Sequence, residues 1–575
     1  MKNYYLLILA VLSFSCSPRH RFELMNPKRT GVEFINTVIE TDSVHVMNFE
    51  YIYNGAGVGI VDLDNDGLED LIFMGNQVAP KIYRNEGDFR FSDISSCFVD
   101  LDNGQWYSGI TYIDINNDGW KDLYFTCTAY DDPAEKRKNR FWVNQGLQED
   151  GRLKFIDMAD SYGIADDSYT VHAAFFDYDL DGDLDLYLMN NFENDRLSAS
   201  YREKVNDGTA ASNDDLYRNN GDGTFSNVTL EAGIIYEGFG LGLALGDVNK
   251  DRYPDIYISN DYISNDLLYI NQGDGTFKNE IARYMSYQTK SSMGNDMADI
   301  NNDGNPDMFT LDMLPEYYYK KKQTINGFGY IYFINDAKYG YEHQFLRNML
   351  HMHNGFANGE MIPYSEVGQM LGIYNTEWSW SPLFADFDND GDKDLIVANG
   401  YPRDMTDKDW TYFRFEVYPS VATAHYVISK LPPTKQPNHA YENLGDLRFR
   451  KISDEWFDKQ RPSFSYGAAF VDLDKDGDLD YVTNNTNDRA FIYRNTTREA
   501  DPGKSNYLRI KLIGQGDNTV AFGVKVDLWS GGQHQFQEHF LSRGYVSTVD
   551  PTVHFGLAEH TMVDSIKVSW PARIL

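Results

Sequence analysis

Asp62-Leu63-Asp64-Asn65-Asp66-Gly67-Leu68-Glu69-Asp70 is a nine-residue stretch whose pattern returns six more times along the chain. Positions 1, 5 and 9 are Asp, position 3 is Asp or Asn, and position 6 is usually Gly. The further copies are Asp114, Asn116, Asp118 and Asp122; Asp177, Asp179, Asp181 and Asp185; and Asp247, Asn249, Asp251 and Asp255. They continue with Asp299, Asn301, Asp303 and Asp307; Asp386, Asp388, Asp390 and Asp394; and Asp472, Asp474, Asp476 and Asp480. Oxygens at positions 1, 3 and 5 of a tight loop converge on one point. A flexible residue at 6 turns the chain, the carbonyl at 7 adds a ligand, and the last carboxylate closes the shell. So many hard oxygens suit Ca²⁺, up to seven ions in all, whereas Mg²⁺ demands a smaller octahedron with retained waters. No His or Cys stands in the loops to recruit Zn²⁺ or Cu²⁺. In the fourth copy Arg252 replaces the glycine; a left-handed turn there costs a side-chain-bearing residue about 1 kcal/mol or more, which makes the site at Asp247 the weakest expected.

Working outward, the loops are bordered by strands. Leu68 to Met74, Leu123 to Cys127, Leu184 to Leu188, Ile256 to Ser259, Leu395 to Ala398 and Leu479 to Val482 are apolar or aromatic runs of strand length. Glycine and aromatic alternations such as Gly57, Gly59 and Ile60, or Phe464, Tyr466 and Gly467, precede them. Each loop is therefore expected at a hairpin tip. A second element follows most loops, an Asn and Gly turn in an aromatic hairpin, as in Tyr83, Asn85 and Gly87 or Tyr269, Asn271 and Gly273. Two hairpins per repeat make four strands, and four-stranded units repeating about an axis make an all-β, seven-bladed β-propeller spanning residues 46–500. The last two intervals between loops are the longest and imply insertions near residues 313–377 and 400–437.

These residues resemble the FG-GAP/VCBS repeat family, which includes the integrin α-chain propellers; the resemblance covers Gly55 to Asn495. It implies a metal-stapled propeller, a scaffold that serves adhesins, lectins and, in a few cases, lyases. From Asn506 the pattern changes to Tyr507, Leu508, Ile510 and Leu512, then Gly523, Val524 and Val526, Arg543 to Tyr545, His554 to Leu557, and Ile566 to Pro571. Residues 506–575 resemble the ASPIC/UnbV domain, a small β-domain.

Composition sets the remaining bounds. The formal net charge of −36 repels nucleic-acid phosphates, which argues against a nucleic-acid partner. Met1 and Lys2, the apolar run from Tyr4 to Phe14, then Ser15 and Cys16 match a secretory signal over residues 1–16, and its end resembles a lipobox with Cys16 as the lipidated residue. The alternative is an ordinary signal peptide cut nearby; either way the protein is exported. With lipidation, residues 17–45 link an anchor in the cell envelope, the outer membrane by the rule for Ser17, to the first strand. Cys97 and Cys127 are either a disulfide in that oxidising setting or two free thiols.

The insertions are rich in aromatic and cationic residues, suited to stacking on sugar rings or anchoring a protein. Trp378, Trp380, Tyr401, Arg403 and Trp410 are the candidate ligand contacts. A filled oxygen shell leaves a metal no open position for catalysis, and the chain has no nucleophile elbow, P-loop or HExxH motif. The expectation is a non-enzymatic binding protein for a glycan or protein ligand. The alternatives are a polysaccharide lyase drawing on groups such as His343, His351, His353 and Arg347, or an accessory subunit of an outer-membrane uptake complex.

Overall fold

The structure, a computed structural model, describes residues 20–128, 133–192, 200–324, 329–458 and 460–571. Cys16 and the leader expected over residues 1–16 lie outside the described residues. Each loop joins the first and second strands of a four-stranded antiparallel sheet, and seven such sheets follow one another. Their first strands are Val58–Val61, Tyr107–Ile113, Thr170–Phe176, Gly240–Gly246, Asn295–Ala298, Ser379–Ala385 and Ser465–Val471. The position-9 Asp opens each second strand, from Asp70–Phe73 to Asp480–Asn485. The first six sheets complete themselves from the sequence that follows. The seventh takes its outer strand from the other end of the chain, Phe22–Leu24 pairing antiparallel with Phe491–Asn495. First strands of successive sheets touch in chain order, and that of the seventh touches that of the first, so the arrangement is a propeller-like ring.

Two polar residues per repeat hold this ring together. The position-9 Asp is buried in every loop. One carboxylate oxygen accepts the position-2 N–H at 2.9–3.2 Å. The other accepts the N–H of a third-strand residue at 2.8–2.9 Å: Asn85, Asn144, Asn219, Asn271, Asn443, Asn495 or, in the fifth sheet, His353. The side chains of five of these Asn then cross to the preceding sheet. Asn85 donates to the Leu473 carbonyl, Asn144 to Leu63, Asn271 to Tyr178, Asn443 to Ile300 and Asn495 to Phe387, at 2.7–3.1 Å. His353 does the same to Val248 at 3.0 Å. These Asn are thus fasteners between sheets as well as turn residues. None of them takes a positive φ; the left-handed positions fall later in the turn, at residues such as Gly87 and Gly273.

Residues 506–571 form a small β-domain around Ala521, Val524, Val526, Leu528, Val553, Phe555 and Leu557. From it the hairpin Ser542–Arg543 and Ser547–Thr548 enters the axis of the ring and reaches the first strands of all seven sheets. Ser547 and Thr548 hydroxyls accept the N–H groups of Val58 and Ile60 at 3.0 and 3.1 Å, and the Gly544 carbonyl accepts that of Asn295 at 3.1 Å. Arg543 makes a two-pronged ion pair with the buried Asp296 at 2.6–2.7 Å. Tyr545 at the tip lies 5.1 Å from Trp380, ring to ring, and donates to the Asn54 carbonyl at 2.8 Å. Gly57 makes room for this: a Cβ there would stand 1.9 Å from the Val546 carbonyl oxygen.

The insertions are connections from second to third strands, so antiparallel geometry places them at the end of the ring opposite the loops. The first covers residues 311–348, shorter than expected, because Met349–Met352 and Ser365–Glu366 are strands of the fifth sheet. It carries the helices Tyr318–Gln323 and Tyr330–Tyr339, and the second carries Lys408–Val417 and Ala424–Ile428. The two meet where Thr324 bridges Asp407 and Lys408 donates to the Lys322 carbonyl at 2.9 Å. Cys97 and Cys127 are both free thiols, so they do not pair.

Candidate metal centres

Every loop folds alike. The position-1 carboxylate accepts the position-5 N–H on one oxygen, at 2.9–3.2 Å. In six loops its other oxygen accepts the position-6 N–H at 2.8–3.1 Å. Positions 4 and 6 are both left-handed throughout, with φ from 54° to 104°. Position 4, filled by Asn in four loops and by Leu180, Lys250 and Lys475 in the others, was not anticipated. The Asn-tolerant φ is the signal that would have marked it. Arg252 adopts the glycine conformation at φ 87° and keeps the same hydrogen bond to Asp247, at 2.8 Å. Its side chain strains the fourth loop without refolding it.

Carboxylates converge unequally. Asp62, Asp64 and Asp66 in the first loop, Asp177, Asp179 and Asp185 in the third, Asp386, Asp388 and Asp394 in the sixth, and Asp472, Asp474 and Asp480 in the seventh each bring three oxygens within 4.8 Å of one another. The second, fourth and fifth loops, with Asn at position 3, form no such cluster among the described residues. There Asn116, Asn249 and Asn301 donate their amides to the position-5 Asp at 2.8–3.1 Å.

The clustered acids fit a cation. Burial, then repulsion from Asp181 and Asp179, pushes Asp177 up to about 7. Burial and the Asp388 charge do the same to Asp386, and burial with Asp386 and Asp388 lifts Asp390 to about 9. One oxygen each of Asp64 and Asp474, both at position 3, is buried without a hydrogen-bond partner. Acids crowded in this way, with position-3 oxygens left unpartnered, could hold a positive ion.

The small β-domain sits on this loop end. Arg509 contacts both Asp472 and Asp550, and in the seventh loop it takes the carboxylate oxygen that elsewhere receives the position-6 N–H. Lys525 contacts Asp247 in the fourth loop and lies 3.8 Å from Glu538. The Thr519 hydroxyl donates to Asp114 at 3.3 Å, His534 borders Gly304, and Gly556 lies against Asp386.

The expected ligand contacts are mostly turned inward. Trp380 and Tyr401 are buried and pack on one another, Trp380 also on Tyr466 and Tyr545 and Tyr401 on Tyr53. Trp378 stacks on Tyr401 at 4.1 Å. Arg403 pairs with Glu40 at 3.0 Å. Trp410, also buried, donates its indole N–H to the Val427 carbonyl at 2.9 Å and forms the floor of a groove described below. An aromatic residue in an insertion first serves to tie that insertion down. Nor do the histidines converge: His351 and His353 are buried in the fifth sheet on backbone carbonyls, and Arg347 pairs with Glu366 at 2.7 Å.

Residues 62–125, 205–258 and 247–310 match the FG-GAP-like repeat, and residues 514–574 match ASPIC and UnbV. The chain carries FG-GAP-like repeats and a C-terminal ASPIC and UnbV domain. It is 23% identical over 530 residues to cartilage acidic protein 1 of Xenopus tropicalis, an overlap of 90% of this chain and 70% of that one. With cartilage acidic protein 1 of Mus musculus it shares 24% over 271 residues, 44% of this chain and 39% of the other. Among solved structures, a lectin of Agrocybe aegerita that recognises non-reducing terminal N-acetylglucosamine overlaps at TM-score 0.37 and 14% identity, covering 70% of this chain and 82% of the lectin. A rhamnogalacturonan lyase of Bacillus licheniformis overlaps at TM-score 0.35 and 11% identity, covering 77% and 71%. The FG-GAP-like matches span the first, second, fourth and fifth loops, and the ASPIC and UnbV match spans the axial hairpin and Lys525.

Proposed function

We propose that this chain is a calcium-loaded, seven-bladed β-propeller, held outside the cytoplasm by a lipid on Cys16, that captures a glycan without catalysis. Calcium follows from the oxygen-only ligand sets of the first, third, sixth and seventh loops. Those ions tie hairpin tips and have no role in chemistry at a ligand. Capture belongs to the opposite end, where the insertions hold Tyr318, Tyr330, Tyr412 and Phe415 at 70–79% exposure.

The observation that carries the reading is an open groove of about 390 Å³ lined by Asp407, Asp409, Trp410, Phe413, Tyr426, Lys430 and Pro432. Aromatic faces beside two carboxylates and an ammonium offer stacking and hydroxyl hydrogen bonds together, the chemistry of a sugar ring. Affinity electrophoresis of the calcium-loaded protein through a panel of polysaccharides tests this. Retardation with no unsaturated product at ultraviolet wavelengths is expected. Metal-dependent product would make the protein a lyase, and no retardation by any polysaccharide would remove the glycan.

A further inference from the structure

The fourth loop has the same backbone as its six counterparts but a different neighbour. Asp247 accepts N–H groups from Asp251 at 2.9 Å and Arg252 at 2.8 Å, as a position-1 Asp should. The same oxygen that serves Arg252 is also in contact with the ammonium of Lys525. That ammonium is fixed from the far side by Glu538, which itself accepts the Asp247 N–H at 3.1 Å. Lys525 opens the strand Lys525–Ser530, whose register places it opposite Glu538 and Ser569, so the lysine is held by a sheet. Its side chain is 21% exposed and that of Asp247 is 1% exposed.

The Arg509 contact in the seventh loop differs. There the oxygens of Asp472, Asp474 and Asp480 still converge, and one oxygen of Asp474 remains buried without a donor. In the fourth loop position 3 is Asn249, whose amide donates to Asp251 at 2.8 Å and whose oxygen accepts the Asp251 N–H at 2.9 Å. The Asp247 carboxylate is already matched by a cation belonging to the chain. A buried carboxylate so matched gains nothing from a second cation that must first displace the ammonium.

We infer that Lys525 of the ASPIC and UnbV domain is a tethered cation standing in for a metal ion at the fourth loop, which serves as that domain's docking post. The inference rests on calcium filling the all-Asp loops. It also gives the Arg252 substitution a setting, since a loop that holds a lysine has no ion whose shell the strained turn could spoil.

Metal analysis of the full-length protein, gel-filtered in micromolar calcium, tests the assignment. Asp177→Asn should lose one bound calcium, Asp247→Asn none, and the double variant Lys525→Met with Arg252→Gly should gain one. Loss of an ion in Asp247→Asn overturns the proposal. Melting gives a second readout that does not depend on metal. Lys525→Met and Asp247→Asn should each lower Tm by a few degrees, equally in calcium and in chelator, and the pair together by no more than either alone. Additive shifts would overturn the proposal. A wild-type protein that binds no calcium at all would refute the calcium reading while leaving the ammonium contact to be judged by that coupling.

Discussion

The loop end of the ring and the insertion end use their side chains in opposite ways. At the loop end, carboxylates are buried and crowded, and the small β-domain brings Arg509 and Lys525 onto two of the loops. At the insertion end, some aromatic rings are buried to seat the insertions, and others, such as Tyr330 and Phe415, are left facing solvent. One end is polar and closed, the other apolar and open. The contrast teaches that residue type alone does not locate a binding surface: the acids that dominate the sequence are occupied within the fold, and the aromatic rings that matter are those packing has not consumed.

The largest expected effect comes from chelation, which should lower Tm by roughly 10 °C or more, because each ion present at a hundredfold its Kd adds about 2.7 kcal/mol to the folded state. Calorimetry with and without chelator decides, and coincident melts would abolish the contrast between the ends. Next is Tyr545→Ala. It removes a buried ring from the axis and should cost about 3–5 kcal/mol in denaturant unfolding.

A third, smaller effect is a slope with pH. In chelated protein Asp177 and Asp386 keep protons up to about 7, whereas in the unfolded chain they release them near the ordinary carboxylate value of about 3.9. The folded state therefore binds more protons across that window, and its stability falls as pH rises from about 4 to about 7. Calcium, by displacing those protons, should reverse the slope. The smallest effect on stability sharpens the other side of the comparison: Tyr426→Ser, at an exposed wall of the groove, should change stability by less than about 0.5 kcal/mol while weakening glycan retardation.

Much of this was legible in the sequence because the loops are local. Three converging oxygens impose a spacing on nine consecutive residues, and that spacing survives without any knowledge of the rest of the chain. The Asn85 and Asn271 positions were visible but read as turn residues only. Their second use, donating to a loop of the neighbouring sheet, joins residues far apart in sequence and leaves no periodic trace. The burial of Trp380 and Tyr401 was hidden for the same reason. Trp380 meets Tyr466 from another sheet and Tyr545 from another domain, and Tyr401 meets Tyr53 from the far end of the sequence. Arg543, Gly544 and Tyr545 could be read only as a turn or a site, since nothing in a short run of polar and small residues marks a hairpin that fills an axis.

That hairpin also sets an order in time. The strand Phe22–Leu24 precedes all seven loops and must wait for the seventh sheet before it has a partner, while Ser542–Thr548 follows all seven sheets and completes the packing of every sheet already formed. A nascent chain therefore carries an open axis until this hairpin has been synthesised. Shortening the chain from its C-terminal side would unsettle the whole ring at once instead of trimming one appendage from it.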